Sequence, residues 1–261
     1  MKKYYQYLGL AIIMVFSFYY TEKISSIVLN KNPLMIAIRE ESDNYNVTSV
    51  NAEIKGGYIT PGINGLKVNV KESFYKMHDM DIFNKYYLVF DQIKPDVSLE
   101  DNKDKIITSG NSKYKKVSLI LEKENEISEY LKNNNIKASL LVDLNTYKEN
   151  SYFEVINNES NGFKTLENTL NLNKENKKIC VISDYNKNVC LKHKNYLVKP
   201  NLILNASNLI EIKSNINNGV IILISNKASL SDVKLLIKEI KYKDLKFVYL
   251  SEIISEYNSN Y

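Results

Sequence analysis

The hydrophobic and polar positions change rhythm twice along the chain. Residues 4–20 form an uncharged run, preceded by Lys2 and Lys3 and closed by Glu22 and Lys23. From Lys116 onward, short apolar runs alternate with amphipathic segments. Val117 to Leu121, Ala138 to Val142, Ile179 to Ile182, Tyr196 to Val198, Val220 to Ile224 and Phe247 to Leu250 have the length and the β-branched or aromatic content of strands. Glu126 to Asn134 reads as a helix. Ser229 to Lys241 places Leu230, Val233, Leu236, Ile237 and Ile240 at helical spacing, with Ser229 as a good N-cap. Near-continuous apolar strands separated by helices predict a parallel sheet covered by helices, and so an α/β second half.

The first half is patterned differently. The seventeen residues from Tyr4 to Tyr20 span roughly 25 Å as a helix, near the lower limit for crossing a bilayer. Tyrosines at both ends suit the two interfaces, and the leading lysines place the N-terminus in the cytoplasm with the bulk of the chain outside. This predicts an uncleaved signal anchor, a transmembrane helix over 1–23. A cleaved signal and a buried helix of the fold are the competing readings, and no small-residue cleavage pair follows the apolar stretch. Residues 24–50 read as a polar stalk with one apolar patch, Pro33 to Ile38, as a first strand or a helix. Ala52 to Val70 gathers four of the chain's eight glycines, with Pro61, between short β-rich runs, which is turn chemistry joining strands. A helix over Ser73 to Met80, a strand over Tyr86 to Phe90 and an irregular Lys94 to Asn111 complete a small β-rich module, 51–115. The remainder, 116–261, is a second domain.

Composition narrows the function classes. The net charge is +5, but Arg39 is the only arginine among 35 basic residues, which excludes the arginine-rich recognition expected of a dedicated nucleic-acid binder. Cys180 and Cys190 are the only cysteines. Two buried free thiols is the simpler reading, and a short-loop disulfide is the other. With His193 they form C-x9-C-x2-H, which lacks a fourth ligand and matches no standard zinc spacing. The glycine run at Gly56 to Gly65 leads into Leu66 to Val70, a strand and not a helix, so it reads as a turn instead of a phosphate loop.

Two blocks carry a resemblance to a known family. Lys115 to Asp143, KKVSLILEKENEISEYLKNNNIKASLLVD, resembles the opening of the polysaccharide deacetylase (NodB-homology) domain, and Ile136 to Val142 has the shape of its second strand. Asn218 to Glu256, NGVIILISNKASLSDVKLLIKEIKYKDLKFVYLSEIISE, resembles the end of that domain. The resemblance implies a distorted, incomplete (β/α) barrel. It also implies amide hydrolysis on N-acetylated sugars by a divalent metal held by one Asp and two His at the C-terminal ends of the strands.

This chain departs from the family at each of those positions. Glu122 stands at the general base and Lys123 at the metal-binding Asp, where an ammonium has no lone pair to offer a cation. Phe153 to Phe163 offers Asn158 and Gly162 for the two histidines, and Ser225 and Asn226 replace the closing His-Asp. The chain has two histidines, His78 and His193, neither after an expected strand, so no metal or other cofactor is expected. Lys123 beside Glu122 reads as a charge pair filling the old metal position. Glu122, Asp143 and Asp184 all follow expected strands and are the candidate carboxylates for a rearranged hydrolase; acidic N-caps are the simpler explanation. The sequence thus describes a membrane-anchored, deacetylase-like protein without its catalytic groups, with cell-wall glycan or an envelope protein as partner and no nucleic acid. An active carbohydrate deacetylase or other hydrolase with a rearranged site is the alternative.

Overall fold

A computed structural model describes residues 2–142, 152–157, 179–182, 190–191 and 196–259. They divide into two compact units, Met1–Thr48 with Gly65–Ile93, and Ser49–Asn64 with Lys94–Tyr261. The glycine-rich run is therefore shared between the units, and 51–115 does not stand as a module of its own.

In the first unit, helix α1 covers Lys2–Asn30 and α2 covers Pro33–Ser42. Asn32 caps α2, its Oδ1 accepting from Leu34 N at 2.8 Å, and Pro33 opens the helix where its missing N–H costs nothing. The segment expected to be a stalk is thus a packed element. Leu34, Met35 and Ile38 are buried with Val68, Phe74 and Met77, the last two from α3 (Val70–Met77), while Val68 belongs to strand β3 (Gly65–Val68). β3 pairs antiparallel with β4 (Phe90–Ile93). The expected strand at Tyr86 begins later because Asn84 Oδ1 accepts from Tyr86 N at 3.0 Å and winds Lys85–Tyr87 into a 3-10 turn.

The side chains of Leu8, Leu10, Ile12, Ile13, Met14, Val15, Phe16 and Phe18 on α1 are all exposed. Even so, no helix among the described residues is long and apolar enough to cross a membrane. Five tyrosines, Gln6 and Ser17 within 4–20 dilute the apolar run, which corrects the expectation of a spanning helix.

The second unit carries the α/β pattern. Its larger sheet runs β11 (Leu202–Leu204), β12 (Ile221–Ile224), β6 (Lys116–Leu121), β7 (Ser139–Val142) and β8 (Glu154–Asn157), with β13 (Lys246–Val248) also on β6. All of these pairings are parallel. β6 pairs with β13 through Lys116 to Ser118, with β7 through Ile120 and Leu121, and with β12 along Ser118 to Leu121. The other sheet joins the hairpin β1 (Glu53–Lys55) and β2 (Tyr58–Thr60) to β5 (Ile106–Ile107), β10 (Tyr196–Val198) and β9 (Ile179–Val181). Gly56, with φ +60, makes the hairpin turn that the glycine run predicts.

Alternation along the strands builds two cores. Val117, Leu119 and Leu121 of β6 face a helix layer that includes Ile127 and Leu131 of α4 (Glu126–Asn133) and Val233, Leu236, Ile237 and Ile240 of α6 (Leu230–Tyr242). Ile120 faces the other way, into an interior shared with Leu141, Ile156, Ile221 and Val248 from its own sheet and Ile59, Ile107, Ile179 and Val198 from the other. Two sheets of mostly parallel strands enclosing one apolar interior, with helices outside, is the incomplete barrel arrangement. The C-terminal segment binds into it: Glu256 Oε1 accepts from Gly62 N and Leu99 N, each at 2.9 Å. Between α4 and α6 lies another helix, α5 (Leu209–Ser214), and α7 (Leu250–Ile253) follows β13.

Ile120→Ala and Ile237→Ala each remove a fully enclosed side chain from one of the two cores. Each is expected to cost about 2–5 kcal/mol in urea unfolding, whereas Ile210→Ala, at an exposed position of α5, changes stability by less than about 0.5 kcal/mol.

Candidate functional site

Parallel pairing puts the C-terminal ends of β11, β12, β6, β7 and β8 along one edge, the place where α/β folds gather their chemistry. Glu122 follows β6 and Ser225 follows β12, in adjacent register. Glu122 N donates to Ile224 O at 3.4 Å, and its carboxylate Oε2 accepts from Asn226 N at 2.8 Å. The expected base therefore ties the β6 and β12 loops together. Ser225 is 7% exposed. Its N donates to Leu204 O at 3.0 Å and its Oγ accepts from Lys227 N at 3.3 Å, so it is folded into its own turn.

Lys123 is exposed and makes no ion pair with Glu122. The expected charge pair is not formed: an ammonium on a four-carbon stem gains more from water than from a carboxylate already receiving a backbone amide. Asp143, Asn158, Gly162, Asp184 and His193 lie outside the described residues. Among the described residues no group of three or more His, Cys, Asp or Glu side chains could hold a metal ion. A divalent metal of the kind the family resemblance implies does not fit Glu122, Lys123, Ser225 and Asn226: one carboxylate is engaged, one side chain is a cation, and two are neutral.

Cys180 and Cys190 form a disulfide with Cα atoms 6.1 Å apart, inside the ordinary span for such a bridge. This corrects the reading of two free thiols and removes both from any metal set. His78 sits at the C-terminus of α3, its Nδ1 3.1 Å from Tyr75 O and its Nε2 3.0 Å from Asp79 Oδ1.

Two functional-looking carboxylates escaped the sequence reading. Glu154 is 7% exposed; its Oε2 accepts from Ser139 Oγ at 2.7 Å and from Ser251 N at 3.1 Å. Glu256 is the loop clamp described above. Both join segments distant in sequence, so no local motif announces them. A cleft of about 370 Å³ lies along α4, lined by Glu124, Asn125, Ser128, Glu129, Lys132 and Phe153. Within it Asn125 and Ser128 are already joined in the helix cap, Asn125 N donating to Ser128 Oγ at 3.0 Å.

No family model matches the chain. A curated relative, the uncharacterized protein YlxY of Bacillus subtilis (strain 168), is 31% identical over 132 residues, 48% of this chain. The match spans 41% of the relative's own length. Among solved structures, BA3943, described as a CE4 family pseudoenzyme from Bacillus anthracis, superposes with a TM-score of 0.53 at 20% identity. That superposition covers 87% of this chain and 96% of the other. A BA3943 mutant described as having restored enzymatic activity has the same TM-score and identity, covering 86% of this chain and 99% of its own. The fold is thus the deacetylase-like one that the two sequence blocks resemble, and it continues ahead of Lys115.

Glu122→Ala removes an exposed hydrogen bond whose amide water can then satisfy, and is expected to cost about 0.5–1.5 kcal/mol of stability in chemical denaturation. Lys123→Ala, at an exposed position, is expected to change it by less than about 0.5 kcal/mol.

Proposed function

We propose that this chain is a catalytically inactive, polysaccharide-deacetylase-like protein of the cell envelope that acts as a glycan-binding or scaffold protein. The observation that carries the reading is the state of the strand ends. The carboxylate in the position of the family base accepts a hydrogen bond from the neighbouring loop, Glu122 Oε2 to Asn226 N at 2.8 Å. Beside it a lysine stands where the resemblance requires a metal-binding aspartate. Amide hydrolysis of that kind needs a polarised carbonyl, an activated water and an acid for the leaving amine. Ser225 and Asn226 supply none of the three. The likeness in fold to a protein described as a CE4 pseudoenzyme supports the same conclusion.

The reading places the protein against a membrane through residues 4–20. Its support is the run of exposed apolar side chains on α1, Leu8, Leu10, Ile12, Ile13, Met14, Val15, Phe16 and Phe18, led by Lys2 and Lys3. A helix that exposes so much apolar surface is stabilised by lying against lipid.

The test is acetate release from an N-acetylglucosamine oligomer by the full chain, with zinc, cobalt or nickel added. The expected result is no acetate above the protein-free control, together with retention of the oligomer or of wall polymer on the immobilised protein. Acetate released at enzymatic rates would overturn the reading. For the membrane assignment, Leu10→Asp with Phe16→Asp is expected to move the protein from the membrane pellet to the supernatant of lysed cells, and unchanged sedimentation would contradict it.

A further inference from the structure

The two faces of the smaller sheet are covered unequally. Its inner face, with Ile59, Ile107, Ile179 and Val198, closes the apolar interior. Alternation turns Ile106 of β5, Leu197 of β10 and Cys180 of β9 the other way. Ile182 joins them just past β9, its N–H donating to Val198 O at 2.8 Å. Among the described residues this outer face is covered by Cys190 and Leu191, and the cluster has three buried members, Cys180, Cys190 and Leu197. The outer face of the larger sheet packs instead on the helices α4 and α6. Strand β9 is also the end of its sheet, three residues long, with β10 as its one strand partner among the described residues.

So short an edge strand under so small a cluster gains little against the entropy of ordering it. The Cys180–Cys190 bridge makes up the difference. It joins positions ten apart in sequence, and a cross-link of that kind removes freedom from the unfolded chain that apolar burial would otherwise have to offset. Cys180 is 5% and Cys190 0% exposed, so a reductant reaches the sulfurs only when this edge opens locally.

We propose that the bridge is a redox-operated clamp on the β9 edge. Oxidised, it holds residues 190–191 on the outer face of the smaller sheet; reduced, that edge is the first part of the second unit to open. The chemistry is thiol–disulfide exchange. In closure, the thiolate of one cysteine attacks a disulfide oxidant, and the second thiolate then displaces the oxidant from the mixed disulfide; the cysteines give up two electrons and two protons, and the oxidant leaves as a dithiol. A dithiol reductant such as dithiothreitol reverses both steps. A clamp of this kind closes and persists in an oxidising compartment. The inference thus extends the envelope reading to the conditions under which the second unit matures, and it draws nothing from α1.

The first measurement counts thiols in the full chain recovered by acid quench from the cells that make it. No cysteine is expected to react with maleimide before reduction, and both after unfolding and reduction; two reactive thiols at the outset would overturn the proposal. In the folded protein, dithiothreitol is expected to open the bridge at least about tenfold more slowly than in urea, and equal rates would contradict a shielded clamp. Reduction is expected to lower the melting temperature by about 5–10 °C. It should also release the amides of 179–182 and 196–198 to hydrogen exchange while those of 117–121 and 221–224 stay protected. Retained protection at 179–182, or loss spread evenly over both sheets, would refute the clamp. Cys180→Ala with Cys190→Ala should melt like the reduced parent and ignore dithiothreitol; a melt that the reductant still lowers would place the effect elsewhere and sink the proposal. Two free thiols would leave the inactive reading standing, whereas acetate release would refute that reading without touching the bridge.

Discussion

Strand β6 is the constraint on which the second unit depends. It has one apolar face against helices and the other against the interior, and it is paired on one edge by β12 and on the other by β13 and β7 in succession. A strand in that position cannot expose a backbone amide or a polar face without cost, so its sequence is VSLIL, buried throughout. Its length is limited by the same requirement. Two strands share one of its edges, and the pairing ends where Leu121 meets Leu140. The residues that follow, Glu122 and Lys123, are therefore the first of this strand free to carry chemistry.

Much of this was legible from residue order alone. The strands at 117–121, 138–142, 196–198 and 220–224, and the capped helix after Ser229, follow from alternation and helical spacing because both faces of each strand, and one stripe of the helix, are buried. Ser229 Oγ accepts from Asp232 N at 3.1 Å as an N-cap should. Elements with weaker local signals were left open or missed. Pro33 to Ile38 was legible as an apolar patch, a strand or a helix, within a polar stretch, and the packing of Leu34, Met35 and Ile38 with Phe74 and Met77 of α3 decides for the helix. β11 has three residues, and it exists because β12 supplies its partner. The Glu256 clamp closes contacts across about two hundred positions, which no periodicity can reveal.

At the strand ends, the sequence disclosed which groups are missing but not what replaced them. A lysine in place of an aspartate suggested a charge pair with Glu122 at the family's metal position. The structure instead sends Lys123 to solvent and gives the adjacent carboxylate to a backbone amide. Such a bond has a plain physical basis: a carboxylate needs donors, and the loop after β12 supplies the Asn226 amide. The same loop buries Ser225 in its own turn.

The most direct measurement is equilibrium dialysis of the full chain against zinc, with the bound metal quantified per chain. If the strand ends carry only the hydrogen bonds described, zinc stays below one equivalent at micromolar free metal, and Glu122→Gln leaves the value unchanged. One tightly held zinc per chain, lost in Glu122→Gln, would contradict the account, for the carboxylate would then be a ligand and not a loop tie.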